Sequence, residues 1–165
     1  MSTARAQGAL PAPFNGLLLA LIGGSVATVA FDLWGQAISP ALGLSRLAPV
    51  PLAVQTVDVL TGIRSTNAGH FMHLFVVGLI AYPLGWLAVF RPLQERILPM
   101  HWFAASAIYG FGLFLVAIGF VAGPLLAGNP WFLNFTGIMW VALVGHVLYG
   151  IVLAATVKAL EDRGF

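Results

Sequence analysis

Cysteine is absent from the chain. Its absence excludes disulfides, thiolate metal sites, iron–sulfur clusters, cysteine-based catalysis and CxxCH haem attachment. Charge is scarce as well. Asp, Glu, Lys and Arg together make up 7% of the 165 residues, whereas a soluble domain carries about 25%. So few charges cannot solvate a globular surface. The net charge of +2 rests on scattered groups, with no Lys/Arg cluster of the kind a phosphate backbone needs, so no nucleic-acid partner is expected. HExxH, GxSxG, the P-loop and GxGxxG are all missing. Nothing specifies a reaction, and a non-enzymatic protein is expected.

Hydrophobic residues are what the chain has in abundance, at 60%. A helix that crosses a bilayer needs about 20 mostly apolar residues. Ala6 to Phe31 and Ser65 to Phe90 contain no charged residue, and neither does Ile97 to Val157. The last run is long enough for two crossings. It breaks at Gly123-Pro124 and at Gly128-Asn129-Pro130, where helix-breaking residues concentrate. The expectation is an all-α, single-domain membrane protein with a four-transmembrane-helix bundle over about 15–38, 68–90, 101–126 and 133–157. A cleaved signal peptide ending near Thr28-Val29-Ala30 competes for the first segment, but the apolar stretch runs too long for one.

Orientation follows from basic residues. With four crossings, Arg5, Arg91, Arg96, Lys158 and Arg163 share one side, against Arg46 and Arg64 on the other. This bias puts both termini in the cytoplasm of a multi-pass protein of a bacterial inner membrane. Trp34 and Trp131 would then anchor the outer interface, and Trp86 and Trp102 the inner one. The outer loop 39–67 contains Pro40 and Pro49-Val50-Pro51. Leu52 to Leu60 reads as a short amphipathic helix with Ala53, Val57 and Leu60 on one face. It would lie in the headgroup layer or cap the bundle.

Helix association in lipid relies on close packing through small residues. The first helix carries Gly16, Ala20, Gly24, Thr28, Asp32 and Gln36 at every fourth position. The fourth carries Ala142, His146, Gly150 and Ala154, and the third has Gly112, Gly119 and Gly123. Gly24, Thr28, Gly119, Gly123, Gly145 and Gly150 are the expected packing positions, within the chain or against a partner. Pro83 should kink the second helix, since it cannot donate to the Leu79 carbonyl.

Ionisable groups inside a bilayer are functional candidates by default. The candidates are Asp32, His70, His73, His146 and Tyr149, with His101 at the inner interface. Asp32 and His73 both fall within roughly 10 Å of the outer boundary. A pair of Asp32 with His73 or His70 is therefore allowed, and a solvated Asp32 is the plainer alternative. His70 and His73 have an HxxH spacing that could hold a metal, but no carboxylate or thiolate ligand is close in sequence. No metal or cofactor is expected. Haem b would need two level imidazoles on facing helices. His146 should lie roughly 18 Å below the outer boundary and His73 about 5–9 Å below it, so the depths argue against haem. His146 is expected instead to hydrogen-bond between helices, with Asn134, Thr136, Tyr149 or Thr28 as partner.

The stretches Gly24-Ser25-Val26-Ala27-Thr28-Val29-Ala30-Phe31-Asp32-Leu33-Trp34 and Val144-Gly145-His146-Val147-Leu148-Tyr149-Gly150 resemble the YagU-like group of small uncharacterised bacterial inner-membrane proteins. The resemblance covers two of the four helices. It implies Asp32, His146, Tyr149 and Gly150 as positions of interest and implies no activity. Three functions follow as expectations. The first is an accessory subunit that packs against other membrane subunits or a second copy in the bilayer. The second is a small transporter or proton-linked carrier using Asp32 and the histidines. The third is a haem- or quinone-binding electron-transfer module.

The charge bias yields a topology prediction. Alkaline phosphatase fused at Phe165 should be inactive, and the same reporter inserted in the 39–67 loop should be active. The opposite pattern would reverse the orientation.

Overall fold

The computed structural model describes residues 12–125 and 128–165. Among these, four helices are long and apolar enough to cross a membrane: α1 (Phe14–Ala41), α3 (Thr66–Ile97), α4 (Trp102–Gly123) and α5 (Gly137–Glu161). A shorter helix, α2 (Pro49–Thr61), lies in the first loop. No strand occurs among the described residues. The chain is an all-α membrane protein. The end of the bundle bearing the loops 42–65 and 128–136 is called the loop end here. The other is the terminal end. Arg5 and residue 126, both used in the sequence reading, lie outside the described residues.

Three helix bounds differ from expectation by four residues or more. α3 continues past Phe90 to Ile97, and α5 continues past Val157 to Glu161. The charged residues there leave the apolar layer without ending the helix, because ion pairs support the extra turns. Arg91 bonds Glu95 on its own helix at 3.0 Å and Glu161 of α5 at 2.7 Å, and Lys158 bonds Asp162 at 3.0 Å. α5 starts at Gly137, four residues later than expected. Phe132 to Phe135 instead form a left-handed turn with φ from 48° to 54°. Such a turn costs about 1–2 kcal/mol per residue. It puts the Phe132 ring on Gly119 and 5.8 Å from the Phe114 ring, burying apolar surface in exchange. α4 ends at Gly123, whose ψ of −138° is non-helical, as the steric demand of the following Pro124 favours.

Packing follows the small residues, with corrections. α5 lies between α1 and α4, and α1 also packs on α3. A Cβ on Gly24 would stand 2.6 Å from both the Gly78 carbonyl oxygen and the Pro83 ring. α1 and α3 therefore meet backbone to backbone. Gly150 faces Ser106 and Gly110 of α4, and Gly145 faces Phe31. Gly110, which the sequence reading passed over, faces the backbone of His146 and Val147. Gly119 and Gly123 do not mediate helix packing. The first receives the Phe132 ring, and the second sits at the helix break.

Pro83 shapes α3 through hydrogen-bond register. Phe71–Ala81 and Gly85–Phe90 are π-helical, with Tyr82–Leu84 α-helical between them. In π register the Tyr82 N–H reaches the Val77 carbonyl, so the next bond would run from residue 83 to Gly78. Proline has no N–H to make it. The Tyr149 hydroxyl donates to the Gly78 carbonyl instead, at 2.6 Å. Side chains of neighbouring helices satisfy freed backbone groups in this way in lipid. The Tyr109 hydroxyl donates to the Tyr82 carbonyl. All three tyrosines of the chain gather around this proline.

Trp86 is not an interface anchor, and Trp34 is half-buried against another helix. Trp86 is 3% exposed and packs on Tyr109 and Phe90. Trp34 donates its indole N–H to the Val141 carbonyl of α5 at 2.9 Å. In α2, Ala53 and Val57 are buried, but Leu60 is exposed. The helix caps the bundle, and Val54 sits against Gly69 at the start of α3.

Gly24→Leu should lower stability by about 1–3 kcal/mol, the usual cost of overpacking. Gly16, beside which a Cβ meets nothing within 4 Å, supplies the control: Gly16→Leu should stay within about 0.5 kcal/mol. Unfolding in mixed micelles reads both. Equal behaviour of the two variants would refute the backbone contact.

Candidate functional site

A cavity of about 400 Å³ lies inside the loop-end half of the bundle. α1 contributes Thr28 and Phe31, α3 contributes Met72, His73, Val77, Gly78 and Tyr82, α4 contributes Val116, Ala117, Ile118 and Val121, and α5 contributes Ile138, Ala142, His146 and Tyr149. Leu47 to Thr56, which include the first half of α2, form its roof. Its size is within the range of small-molecule sites, about 300–1,000 Å³. The walls are almost wholly apolar, with few polar atoms among them. π-helical turns surround it at Phe71–Ala81 and Leu115–Leu125, and a third runs through Trp34–Ile38 beyond Asp32. Such turns recur at functional sites because they re-aim side chains.

The cavity owes its place to uneven helix spacing. α4 and α5 touch through Gly110 and Gly150. α3 and α4 instead meet across the Tyr109 side chain, which packs on Trp86 and Phe90 and bonds the Tyr82 carbonyl. A whole tyrosine stands between those two backbones. Toward the loop end they do not close on each other. Val116 lines the cavity and is 53% exposed. The cavity's α3 and α4 walls are the loosely packed pair of the bundle.

Four of the five sequence candidates converge here, and His70 does not. Asp32 accepts from His73 Nε2 at 3.0 Å and from Gln36 Nε2 at 3.0 Å. Of the two partners open to it, Asp32 takes His73. The pair is largely shielded, with side-chain exposures of 13% for His73 and 24% for Asp32. His73 forms part of the cavity wall. His70 is exposed and points elsewhere, so the HxxH pair does not converge on one point. His101 caps α4 at the terminal end by accepting from the Phe103 N–H.

His146 is buried on the cavity wall. Its Nδ1 lies 2.7 Å from the Ala142 carbonyl, one turn back on α5. That nitrogen must carry the proton, because a carbonyl oxygen only accepts. The expected partners Asn134, Thr136, Tyr149 and Thr28 are not used. Asn134 and Thr136 are exposed at the loop end, and helix geometry offers the i−4 carbonyl first. The depth argument that separated His73 from His146 also fails. The late start of α5 brings His146 to about 13 Å from the first turn of its helix. Both histidines face the cavity, with Phe31 packed against each at centroid distances of 6.1 and 5.0 Å.

Sequence reasoning missed Tyr82, Phe31 and the closing role of Tyr109. Pro83 was the available signal, since a proline inside a lipid-embedded helix demands a hydroxyl donor nearby. Thr28 completes the site. It is 5% exposed, and its Oγ1 has no hydrogen-bond partner among the described residues.

Asp32→Asn should cost about 1.5–3 kcal/mol, the range for a hydrogen bond to a charged group. Asp58, which pairs with the exposed Arg64 at 3.3 Å, is the comparison. Asp58→Asn should change stability by about 0.5 kcal/mol or less. Chemical unfolding of both variants tests this, and an Asp32 variant as stable as the parent would show that the pair contributes nothing.

No protein-family model matches this chain, and no solved structure matches it.

Proposed function

We propose that this protein is a non-enzymatic, multi-pass protein of a bacterial inner membrane, with both termini in the cytoplasm, that binds a small lipid-phase molecule inside its bundle. The observation that carries the reading is the largely apolar cavity bounded by the loosely packed α3 and α4, with a few polar groups on its walls. A soluble substrate would need a polar route from water. Here the roof of Leu47 to Thr56 covers the loop end, while the α3 and α4 walls adjoin acyl chains. A molecule with a long apolar body and one polar end fits both features. Its body replaces lipid against Val77, Val116 and Ile118, and its polar end reaches Thr28, His146 and Tyr149.

None of the three sequence expectations is better supported by the geometry. Haem b ligated by His73 and His146 would need His73 Nε2, which Asp32 holds. Proton-linked transport would need a chain of exchangeable groups across the bundle. Below Tyr149 the core toward the terminal end is Leu153, Ala154 and Val157, which carry no protons. The accessory-subunit reading draws on exposed helix faces, which lipid covers equally well.

A diazirine-bearing prenyl hydrocarbon, photolysed with the protein in nanodiscs, tests the reading. Mass spectrometry should place the adducts mainly on cavity residues in 72–78 and 116–121. Ala117→Phe, which fills the α4 wall, should reduce that labelling at least fivefold. Adducts spread evenly over the lipid-facing residues, unchanged by the substitution, would refute binding.

A further inference from the structure

We infer that the molecule this cavity receives carries an oxygen-substituted aromatic or quinoid ring on an alkyl or isoprenoid chain. The inference rests on the cavity being a binding site and adds the class of molecule that binds. It concerns binding, and no electron transfer is part of it.

The lining has two unlike parts. Every aromatic or imidazole ring on it belongs to α1, α3 or α5. These rings form one chain: His73, Phe31, His146, Tyr82 and Tyr149, with successive centroids 6.1, 5.0, 6.4 and 5.5 Å apart. α4 and the roof contribute none. α4 supplies Val116, Ala117, Ile118 and Val121, and no aromatic residue occurs from Leu47 to Thr56.

No two neighbours in the chain are stacked face to face. Their interplanar angles are 52°, 77°, 53° and 82°. A ring that offers its rim to a neighbour keeps its faces free of that neighbour. Aromatic rings favour edge-to-face and offset-stacked contacts, so a planar ring entering from the cavity extends the chain in the geometry it already uses. A saturated body of the same size gains only the apolar area it covers. The aliphatic part of the lining suits such a body, which is where the ligand's chain belongs.

Open polar atoms lie on the same chain of rings. Tyr82 is bonded through its carbonyl and His146 through Nδ1, and neither the Tyr82 hydroxyl nor His146 Nε2 makes a hydrogen bond among the described residues. A phenol both donates and accepts. The Tyr82 hydroxyl can therefore bond a ring oxygen whether that oxygen is a carbonyl or a hydroxyl. No Lys or Arg lines the cavity, and an unpaired buried charge is heavily penalised, so a carboxylate or phosphate head is disfavoured. Quinones and hydroquinones share the required chemistry, an oxygen-bearing planar ring on an apolar chain.

The test uses the full chain in phosphatidylcholine nanodiscs, with the prenyl hydrocarbon photoprobe as reporter. Four competitors share a decyl chain and differ in the head: a benzoquinone, its hydroquinone, the saturated cyclohexanediol and plain benzene. The tighter of the quinone and the hydroquinone identifies the oxidation level. It should compete at least tenfold better than the cyclohexanediol, a gap that about two ring contacts supply, and at least threefold better than decylbenzene. Phe31→Leu, which interrupts the ring chain, should shrink the first gap to about threefold. Tyr82→Phe keeps the ring and removes only the free hydroxyl, so it should nearly abolish the second gap; it serves where the Phe31 variant fails to fold. A cyclohexanediol or decylbenzene that competes as well as the oxygen-bearing planar rings, with cavity labelling intact, would overturn the inference and leave the binding reading standing. Gaps unchanged in the folded variants would also overturn it. Labelling that never localises to the cavity would overturn both.

Discussion

A proline inside a lipid-embedded helix leaves a carbonyl with no water to turn to, and in this protein Tyr149 answers that demand. Pro83 cannot donate to Gly78, and the hydroxyl from α5 takes its place at 2.6 Å. The bond needs α5 beside α3 at that depth, and the narrow groove between them is available because Gly24 and Thr28 of α1 approach Gly78 closely. Enlarging either residue would push α3 away from the Tyr149 hydroxyl. The small-residue row on α1, the proline on α3 and the tyrosine on α5 are therefore one arrangement.

The cavity follows from the same arrangement. Glycine brings α4 against α5, whereas a full tyrosine side chain separates α3 from α4. A bundle with one wide seam among narrow ones cannot fill its centre with the side chains it has. Gaps in a core normally cost stability, and here one wall of the gap is Val116, which stays 53% exposed. Thr28, whose buried Oγ1 makes no hydrogen bond among the described residues, shares the wall with Tyr82, His146 and Tyr149. Mostly apolar walls with a few polar groups among them are what a single-headed lipid-phase molecule would require.

Asp32 and His73 occupy a different position. They close the side of the cavity near the loop end and satisfy one another with the help of Gln36. The i, i+4 step from Asp32 to Gln36 and the i, i+3 step from His70 to His73 were both legible in the sequence. Which histidine would turn inward was not, because the π-helical register of Phe71–Ala81 changes the face each residue presents. The same register change moved the proline's orphaned carbonyl from the expected Leu79 to Gly78. It also replaced a simple kink with a bond to another helix.

By itself the sequence determined that the chain is α-helical and built of four apolar segments able to cross a membrane. Long uncharged runs leave the backbone no other way to satisfy its hydrogen bonds in lipid, and that is a local condition. It also singled out Gly24, Thr28, Asp32, His73, His146 and Tyr149, because polar and small residues stand out against an apolar background. Tertiary structure alone decided which of them meet. Distances between helices depend on the size of the largest side chain at each crossing, as the pairing of Gly110 with Gly150 and the intrusion of Tyr109 show. Those are properties of pairs of residues far apart in the chain, and no periodicity along one helix records them.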